Sequence, residues 1–553
     1  MDKLKELKIF CKKHYYLLSG LLMFLSFPSF DIFIFKGFGF FAWIFMIPLF
    51  IYVRGKTLKE VYAASFLTGL LGNFLTYQWI GHFTGGQTGG YTLIVCFLMP
   101  CLSVFFSLKI FAAELISRRL PALRFLVYPV MWCFIEWIQS IGYLAFPWTN
   151  VAYSQFASTA FIQSASVIGA VGISFLIILV SYSVSDVFFH CLSEKKDIKS
   201  LLKSAIFVRT YFILLLLVAI NIIGLVTLSS APVPEKNDLR IGIAQSCIDP
   251  WDDWEANRMR YLAELKSYTD ELLDRSPDLI IWSESASLER ISFDFVRKKL
   301  NEYEEDLLGY IKKIGKPLFT GEIGVHAKPV RVKAGSKSFI VFRVQNNGVL
   351  INGDGEIADT YSKINLVPFG EWFPYDNVPL VGSFIGKLAL SYGGSSFIPG
   401  DGPKLMTING YSFAPLICYE GMFYRLCRKY KEMGLDFFVN ITNDAWSKTY
   451  NGHMQHFSGE IFRALENGVW LVRVGNSGFS ALVDPYGRIT ASMPILRKGS
   501  FTGDMDFSLN RATLYSRCGG YIQGVLVGLA FIFFIAFAFR LAMEKSGMSA
   551  SGS

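Results

Sequence analysis

The sequence has no Cys-x-x-Cys pair. Its nine cysteines (Cys11, Cys96, Cys101, Cys133, Cys191, Cys247, Cys418, Cys427 and Cys518) are scattered, several of them inside apolar runs. Neither a disulfide framework nor a metal centre follows from that distribution. The six histidines are as dispersed; His453 and His456 form one close pair, read as loop or helix-face residues, and no metal is expected. Charge is scarce too: 18% of the 553 residues are charged and 52% are hydrophobic, with a mean hydropathy of +0.38. That is too apolar for an ordinary soluble protein. Paired charges are missing from the apolar runs, which argues against a transporter. The first run has no small-x-small cleavage site, so an uncleaved span is expected there, not a signal peptide.

What is present divides the chain in three. Apolar runs dominate residues 1–230, with seven candidate spans at 15–30, 37–53, 61–81, 91–108, 125–147, 161–185 and 210–229. Most approach the ~20 residues needed to cross a bilayer. Residues 238–512 read as a globular α/β domain, and a last apolar run at 519–541 makes an eighth span. Basic residues cluster before span one (Lys3 to Lys13), after span two (Arg54, Lys56, Lys59) and after span four (Arg118, Arg119, Arg124). They do so again after span six (Lys195 to Arg209) and span eight (Arg540, Lys545), whereas the alternate short loops carry almost none, Lys36 excepted. Both termini are therefore expected in the cytoplasm and the globular domain on the opposite side. The net charge of +9 is largely this topology signal, and no nucleic-acid partner is inferred from it.

Two residues of the bundle stand out. Glu136, inside span five, costs roughly 2.5–3.5 kcal/mol in hydrocarbon by analogy with Asp, so it must face the bundle and be paired or protonated. Trp148, in the aromatic loop 145–150, is either an interfacial anchor or a contact for a lipid substrate.

In the globular domain, strands are predicted at 238–245, 278–282, 316–321, 338–342, 413–417, 435–441 and 469–474, with a hairpin near 348–355. Helices are predicted at 254–275, 295–314, 420–432 and 455–467. Strands alternating with helices imply a layered α/β sandwich. The run Ser412–Ile417 ends in Cys418-Tyr419-Glu420. A cysteine at a strand end, with a turn behind it, can have its pKa lowered by backbone N–H groups that also hold an oxyanion. On its own, a free cysteine is more often a packed core residue. Two further residues follow apolar strands: Glu284 after 279–282, and Lys363 in Tyr361-Ser362-Lys363-Ile364-Asn365-Leu366-Val367-Pro368-Phe369-Gly370-Glu371. Each has a bland alternative as a surface charge, although an apolar, proline-bearing segment is an unusual place for a solvated lysine.

In order and context, Glu284, Lys363 and Cys418 resemble the Glu-Lys-Cys triad of the nitrilase superfamily. The segment from Lys363 to Glu371, the run Asn440 to Trp446, Gln455-His456-Phe457 and Arg463-Ala464-Leu465-Glu466 resemble its membrane-embedded branch, the apolipoprotein N-acyltransferases. Ser283, Ser447-Lys448 and Gln139-Ser140 depart from that pattern, at packing and lid positions. The resemblance implies an α-β-β-α sandwich on a bundle of about eight spans, in a bacterial inner membrane with the catalytic domain periplasmic. It implies an acyl transfer from a phospholipid to the α-amino group of a diacylglyceryl-modified apolipoprotein, by a monomer with no cofactor. Cys418 would be the nucleophile and Glu284 the general base. Lys363 and the Tyr419 N–H would stabilise the oxyanion, with Glu371 and Glu420 in support. Trp446, Asn443 and Trp148 would serve as lid or substrate contacts. A membrane-tethered amidohydrolase with the same triad is the rival enzyme.

Overall fold

The computed structural model describes residues 13–29, 37–84, 88–142, 144–194, 202–284, 286–326, 330–334, 337–372 and 397–546. The chain forms two compact units: Met1–Gly81 with Thr92–Ser230 and Arg517–Ser553, and His82–Tyr91 with Ala231–Ser516.

The first unit is helical. Among the described residues, five helices are long and apolar enough to cross a membrane: Val95–Ser117, Pro121–Gln139, Phe161–Cys191, Ala205–Ser229 and Leu514–Lys545. The apolar helices Tyr15–Ser26 and Gly39–Tyr52 are shorter. Helix Leu58–Tyr77 has 20 residues and starts at a Thr57–Glu60 capping box. At 1.5 Å per residue it is about 30 Å long, the thickness of a hydrocarbon core.

The fifth predicted span stops at Gln139 rather than 147, and the fourth runs on past 108, in a helix that continues to Ser117. The longer helix brings Lys109 and Glu114 inside, so paired charges do occur within the bundle. Lys109 Nζ lies 3.8 Å from Glu136 Oε1 and 4.4 Å from the centre of the Trp132 ring. The Trp132 indole N–H donates to Glu136 Oε1 at 2.7 Å, and the Val151 N–H donates to the same oxygen at 3.2 Å. Glu136 is thus buried and paired, and it ties its helix to the segment after the aromatic loop. Glu114 is buried against Arg118, Arg124 and Tyr128, and Asp186 pairs with Arg54 and Arg209. Lys109, Glu114 and Asp186 escaped a hydropathy reading because each lies past the end of a predicted apolar run, and Lys109 and Asp186 find their partners elsewhere in the chain. Trp148 is buried within this unit, its ring 5.6 Å from that of Trp79 and 6.2 Å from that of Phe146.

The second unit is a sandwich of two mixed six-stranded sheets. The strands in chain order are β1 Leu239–Gln245, β2 Leu279–Ile281, β3 Leu318–Val325, β4 Val330–Ala334, β5 Lys337–Val341, β6 Val344–Ile351 and β7 Ile357–Ser362. There follow β8 Met406–Ile408, β9 Tyr411–Ile417, β10 Phe437–Thr442, β11 Trp470–Gly475, β12 Ser480–Val483, β13 Ile489–Met493 and β14 Gly499–Met505. One sheet runs β14-β1-β2-β3-β6-β7 and the other β13-β12-β11-β10-β9-β8, while β4 and β5 pair apart. The strands β1, β2 and β3 are parallel, as are β9, β10 and β11. Of these, β2, β10 and β11 are buried along their whole length and so read as continuous apolar runs. The inner faces meet through rings such as Phe319 and Phe413, with centroids 5.4 Å apart.

Helices cover both outer faces. Trp254–Leu273 and Glu302–Ile314 pack Leu262, Leu265, Leu307 and Ile311 onto Ile280, Trp282 and Leu318. Each such side chain contributes roughly 1.5–3 kcal/mol when fully buried. On the other sheet, Tyr430 of Tyr424–Glu432 donates its hydroxyl to Pro415 O at 3.2 Å, beside helix Tyr450–Asn467. The helix predicted over 295–314 is two, Ile291–Arg297 and Glu302–Ile314. Left-handed Lys298 closes the first, and an Asn301–Glu304 capping box opens the second. The helix predicted from 420 starts at Tyr424, because Cys418–Met422 form a tight 3-10 turn.

Candidate active site

The reactive residues lie just past strand ends, where side chains leave the pleat and backbone polar groups become available. Glu284 lies three residues beyond β2, and Lys363 directly follows β7. Cys418 directly follows β9, and Asn443-Asp444 follow β10. In the first sheet, β7 runs parallel to β2, so Glu284 and Lys363 emerge at the same edge. Gly321 on β3 makes this possible: a β-carbon there would lie 1.6 Å from the Glu284 carbonyl oxygen.

Lys363 is buried, and its Nζ lies 2.8 Å from Glu371 Oε1 and 3.5 Å from Glu284 Oε1. Asn346 Nδ2 donates to both carboxylates, at 2.8 Å to Glu284 Oε1 and 2.7 Å to Glu371 Oε1. The other oxygens accept backbone N–H groups: Asn443 donates to Glu284 Oε2 and Val367 to Glu371 Oε2, each at 2.8 Å. Burial pushes the Glu284 carboxyl up, and so does Glu371, while Lys363 and the two donors pull it down. For Lys363, burial opposes the charged form, but Glu371 and Glu284 outweigh it and the pKa is raised.

Cys418 is half-buried and has φ +53°, a left-handed conformation that a β-carbon disfavours. Burial pushes its thiol up, Glu284 adds to that, and Lys363 opposes it. Burial and Glu284 thus both favour the protonated thiol. Tyr419, next in the turn, is buried, its ring edge-on to Phe423 at 5.0 Å.

Glu420 is a scaffold of the site. Its carboxylate accepts the N–H groups of Ile417, Ile364 and Asn365 at 2.9, 2.7 and 3.1 Å and the Tyr361 hydroxyl at 2.9 Å. It thereby ties the strand carrying Cys418 to the segment carrying Lys363. Burial pushes this carboxyl up to about 7. Trp446 is half-buried in the 3-10 turn Ala445–Ser447. The expected lid residue Asn443 reaches Glu284 through its own N–H, and its Oδ1 accepts from Asn476 Nδ2 at 3.1 Å.

Sequence reading missed Asn346, Asp444, Glu460 and Arg473 as parts of this site. His456, expected on a loop or helix face, lies on a buried face of helix Tyr450–Asn467. One sulfur, carboxylate and imidazole atom of Cys418, Asp444 and His456 lie within 4.8 Å of one another. Asp444 and His456 are already engaged there by Arg473 and Glu460, so this donor set is not open to a metal. The signal for Asp444 was its position after β10, and for His456 and Glu460 their i, i+4 spacing on helix Tyr450–Asn467; Asn346 on β6 and Arg473 on β11 carried no such local signal.

Comparison with known proteins identifies the family. Residues 19–183 match the apolipoprotein N-acyltransferase N-terminal domain, and residues 333–515 match the carbon-nitrogen hydrolase family. An apolipoprotein N-acyltransferase from Brucella melitensis is 31% identical over 74% of this chain and 72% of its own. Apolipoprotein N-acyltransferase 2 from Treponema denticola is 29% identical, over 76% of this chain and 77% of that one. The enzyme from Borreliella burgdorferi is 26% identical over 94% of each. The sandwich is a nitrilase-like, carbon-nitrogen hydrolase domain, and the whole chain, with its apolar helices, belongs to the apolipoprotein N-acyltransferase family.

Proposed function

We propose that this chain moves an acyl group from a membrane phospholipid, through a thioester on Cys418, to the α-amino group of the diacylglyceryl-modified N-terminal cysteine of apolipoproteins. This is the last step of lipoprotein maturation. The observation that carries the reading is the meeting of Glu284, Lys363 and Cys418 at strand ends, in a member of this family.

Glu284 takes the thiol proton as Cys418 Sγ attacks the ester carbonyl. The tetrahedral oxyanion is met by the Lys363 ammonium and the Tyr419 N–H. On collapse the C–O bond breaks, and Glu284 returns its proton to the alkoxide, releasing a lysophospholipid. The apolipoprotein amine then attacks the thioester, Glu284 takes its proton, and the C–S bond breaks. Glu284 finally returns that proton to Cys418, leaving an amide. Glu371 orients Lys363, Asn346 keeps the two carboxylates in register, and Trp446 contacts an acyl chain. No cofactor enters this cycle, and a monomer suffices.

The work belongs in the inner membrane, with the domain on the periplasmic face. Each buried CH₂ is worth about 0.8 kcal/mol, so drawing a long chain fully into water costs on the order of 10 kcal/mol. A site entered sideways from the bilayer avoids that cost. The test is the intact mass of protein purified from membranes. An acyl adduct on Cys418 that persists without an amine and clears when a diacylglyceryl peptide is added supports transfer. Rapid loss of the adduct to water alone would make the chain a hydrolase.

A further inference from the structure

Behind Cys418 lies a closed set of buried charges that the chemistry above leaves unused. His456 Nδ1 faces Asp444 Oδ1 at 2.8 Å. Its Nε2 faces Glu460 Oε1 at 2.9 Å and the carbonyl oxygen of Cys418 at 3.2 Å. All three partners are acceptors. A neutral imidazole has one N–H and would set a lone pair against a carboxylate, so both ring nitrogens carry protons. Arg473 closes the set, with Nη2 2.6 Å from Asp444 Oδ2 and Nε 2.7 Å from Glu460 Oε2. Two cations and two anions, all buried, balance one another.

The set meets the reactive turn at one atom, the Cys418 carbonyl oxygen. That oxygen also accepts from Asn440 Nδ2 at 3.1 Å, and Asn440 Nδ2 is 3.0 Å from Glu460 Oε1. The turn is pressed onto these groups: a β-carbon on Gly421 would lie 2.4 Å from Asn440 Nδ2 and 2.8 Å from Glu460 Cγ. Something must hold Cys418 at φ +53°, because a non-glycine residue does not keep that conformation unaided.

We propose that His456 is a positioning residue for the nucleophile: clamped between Asp444 and Glu460, it donates to the Cys418 carbonyl oxygen and, with Asn440, keeps Cys418 in its left-handed conformation. The inference rests on Cys418 being the nucleophile. The same cation, with its ring within 4.8 Å of Sγ, favours the thiolate once Glu284 removes the proton.

The test uses the full chain in detergent with two variants, His456→Gln and the charge-balanced pair His456→Gln with Glu460→Gln. The rate of Cys418 alkylation by iodoacetamide is read by peptide mass, alongside thermal unfolding. Losing a charge-assisted hydrogen bond is expected to slow alkylation about tenfold or more in protein that remains folded. If the single variant does not fold, the charge-balanced pair carries the measurement. A purely structural role lowers the melting temperature and leaves the alkylation rate of folded protein unchanged, which overturns the proposal. Persistence of the acyl-enzyme in Cys418→Ala instead sinks the identification of the nucleophile.

Discussion

Lys363 Nζ lies 2.8 Å from Glu371 Oε1, closer than its 3.5 Å approach to Glu284. The lysine is held more closely by Glu371 than by Glu284, the proposed base. Glu284 keeps its second oxygen on the Asn443 N–H, which leaves the Lys363 ammonium free for the oxyanion role proposed above.

Replacing this lysine tests both roles at once. Lys363→Met is expected to slow single-turnover acylation of Cys418 by roughly a hundred- to a thousandfold, the usual effect of losing one oxyanion donor. It also leaves Glu284 and Glu371 facing each other without a cation, so stability is expected to fall by about 3–5 kcal/mol. Adding Glu371→Gln relieves the repulsion and should recover melting temperature but not rate. Lys363→Arg is not expected to rescue fully, because a planar guanidinium does not match the compact ammonium. Near-normal acylation in folded Lys363→Met would remove the lysine from the chemistry.

The two cysteines near the site should behave differently. Cys418→Ala is expected to abolish the acyl-enzyme in a folded, membrane-inserted protein. Cys427, fully buried on helix Tyr424–Glu432, packs rather than reacts, and Cys427→Ala should retain activity with a stability loss on the order of 1 kcal/mol. The reverse pattern in an acylation assay would move the nucleophile to the helix.

Stability should depend on pH through His456. Burial disfavours its cation, but Asp444 and Glu460 outweigh burial and raise the pKa from 6.5 to about 9. The folded state therefore keeps a proton that the unfolded chain releases. The stabilisation is complete below about pH 6.5 and is lost as pH rises through about 9. The expected loss is on the order of 3 kcal/mol, read as a falling melting temperature across that window. His456→Gln should flatten this part of the curve; equal slopes in both proteins would mean a neutral imidazole in the folded state.

In the bundle, Lys109 and Glu136 should be coupled. Removing either partner leaves a buried charge without its counter-ion, at a cost of several kcal/mol. Lys109→Met or Glu136→Gln alone is expected to reduce the yield of folded protein, and the pair together to restore much of it. Additive losses in a double-mutant cycle would show the 3.8 Å approach to be energetically empty.

Topology has a direct test. A reporter active only in the cytoplasm, fused after Ser230, is expected to be silent. Strong activity would reverse the orientation and put the lipoprotein acceptor out of reach.

The sequence by itself determined the order of apolar runs and globular domain, because hydropathy over some twenty residues is a local property. It also marked Glu284 and Cys418, which come after the apolar runs 279–282 and 413–417, and Lys363, set in an apolar, proline-bearing segment, since the motifs around them are contiguous. The strands of the last sheet half, Ser480–Met505, escaped it, because short antiparallel strands such as the largely exposed Ile489–Met493 lack a continuous apolar run. Only the tertiary structure decided which charges neutralise one another. Lys109 meets Glu136 from another helix, and Asn346 on β6 bridges Glu284 and Glu371. Glu420 ties Ile417 to Ile364, and Arg473 on β11 reaches across to Asp444 after β10. A hydrogen bond or ion pair acts over about 3 Å in space, and nothing in a residue's sequence neighbours encodes which distant group the fold will bring that near.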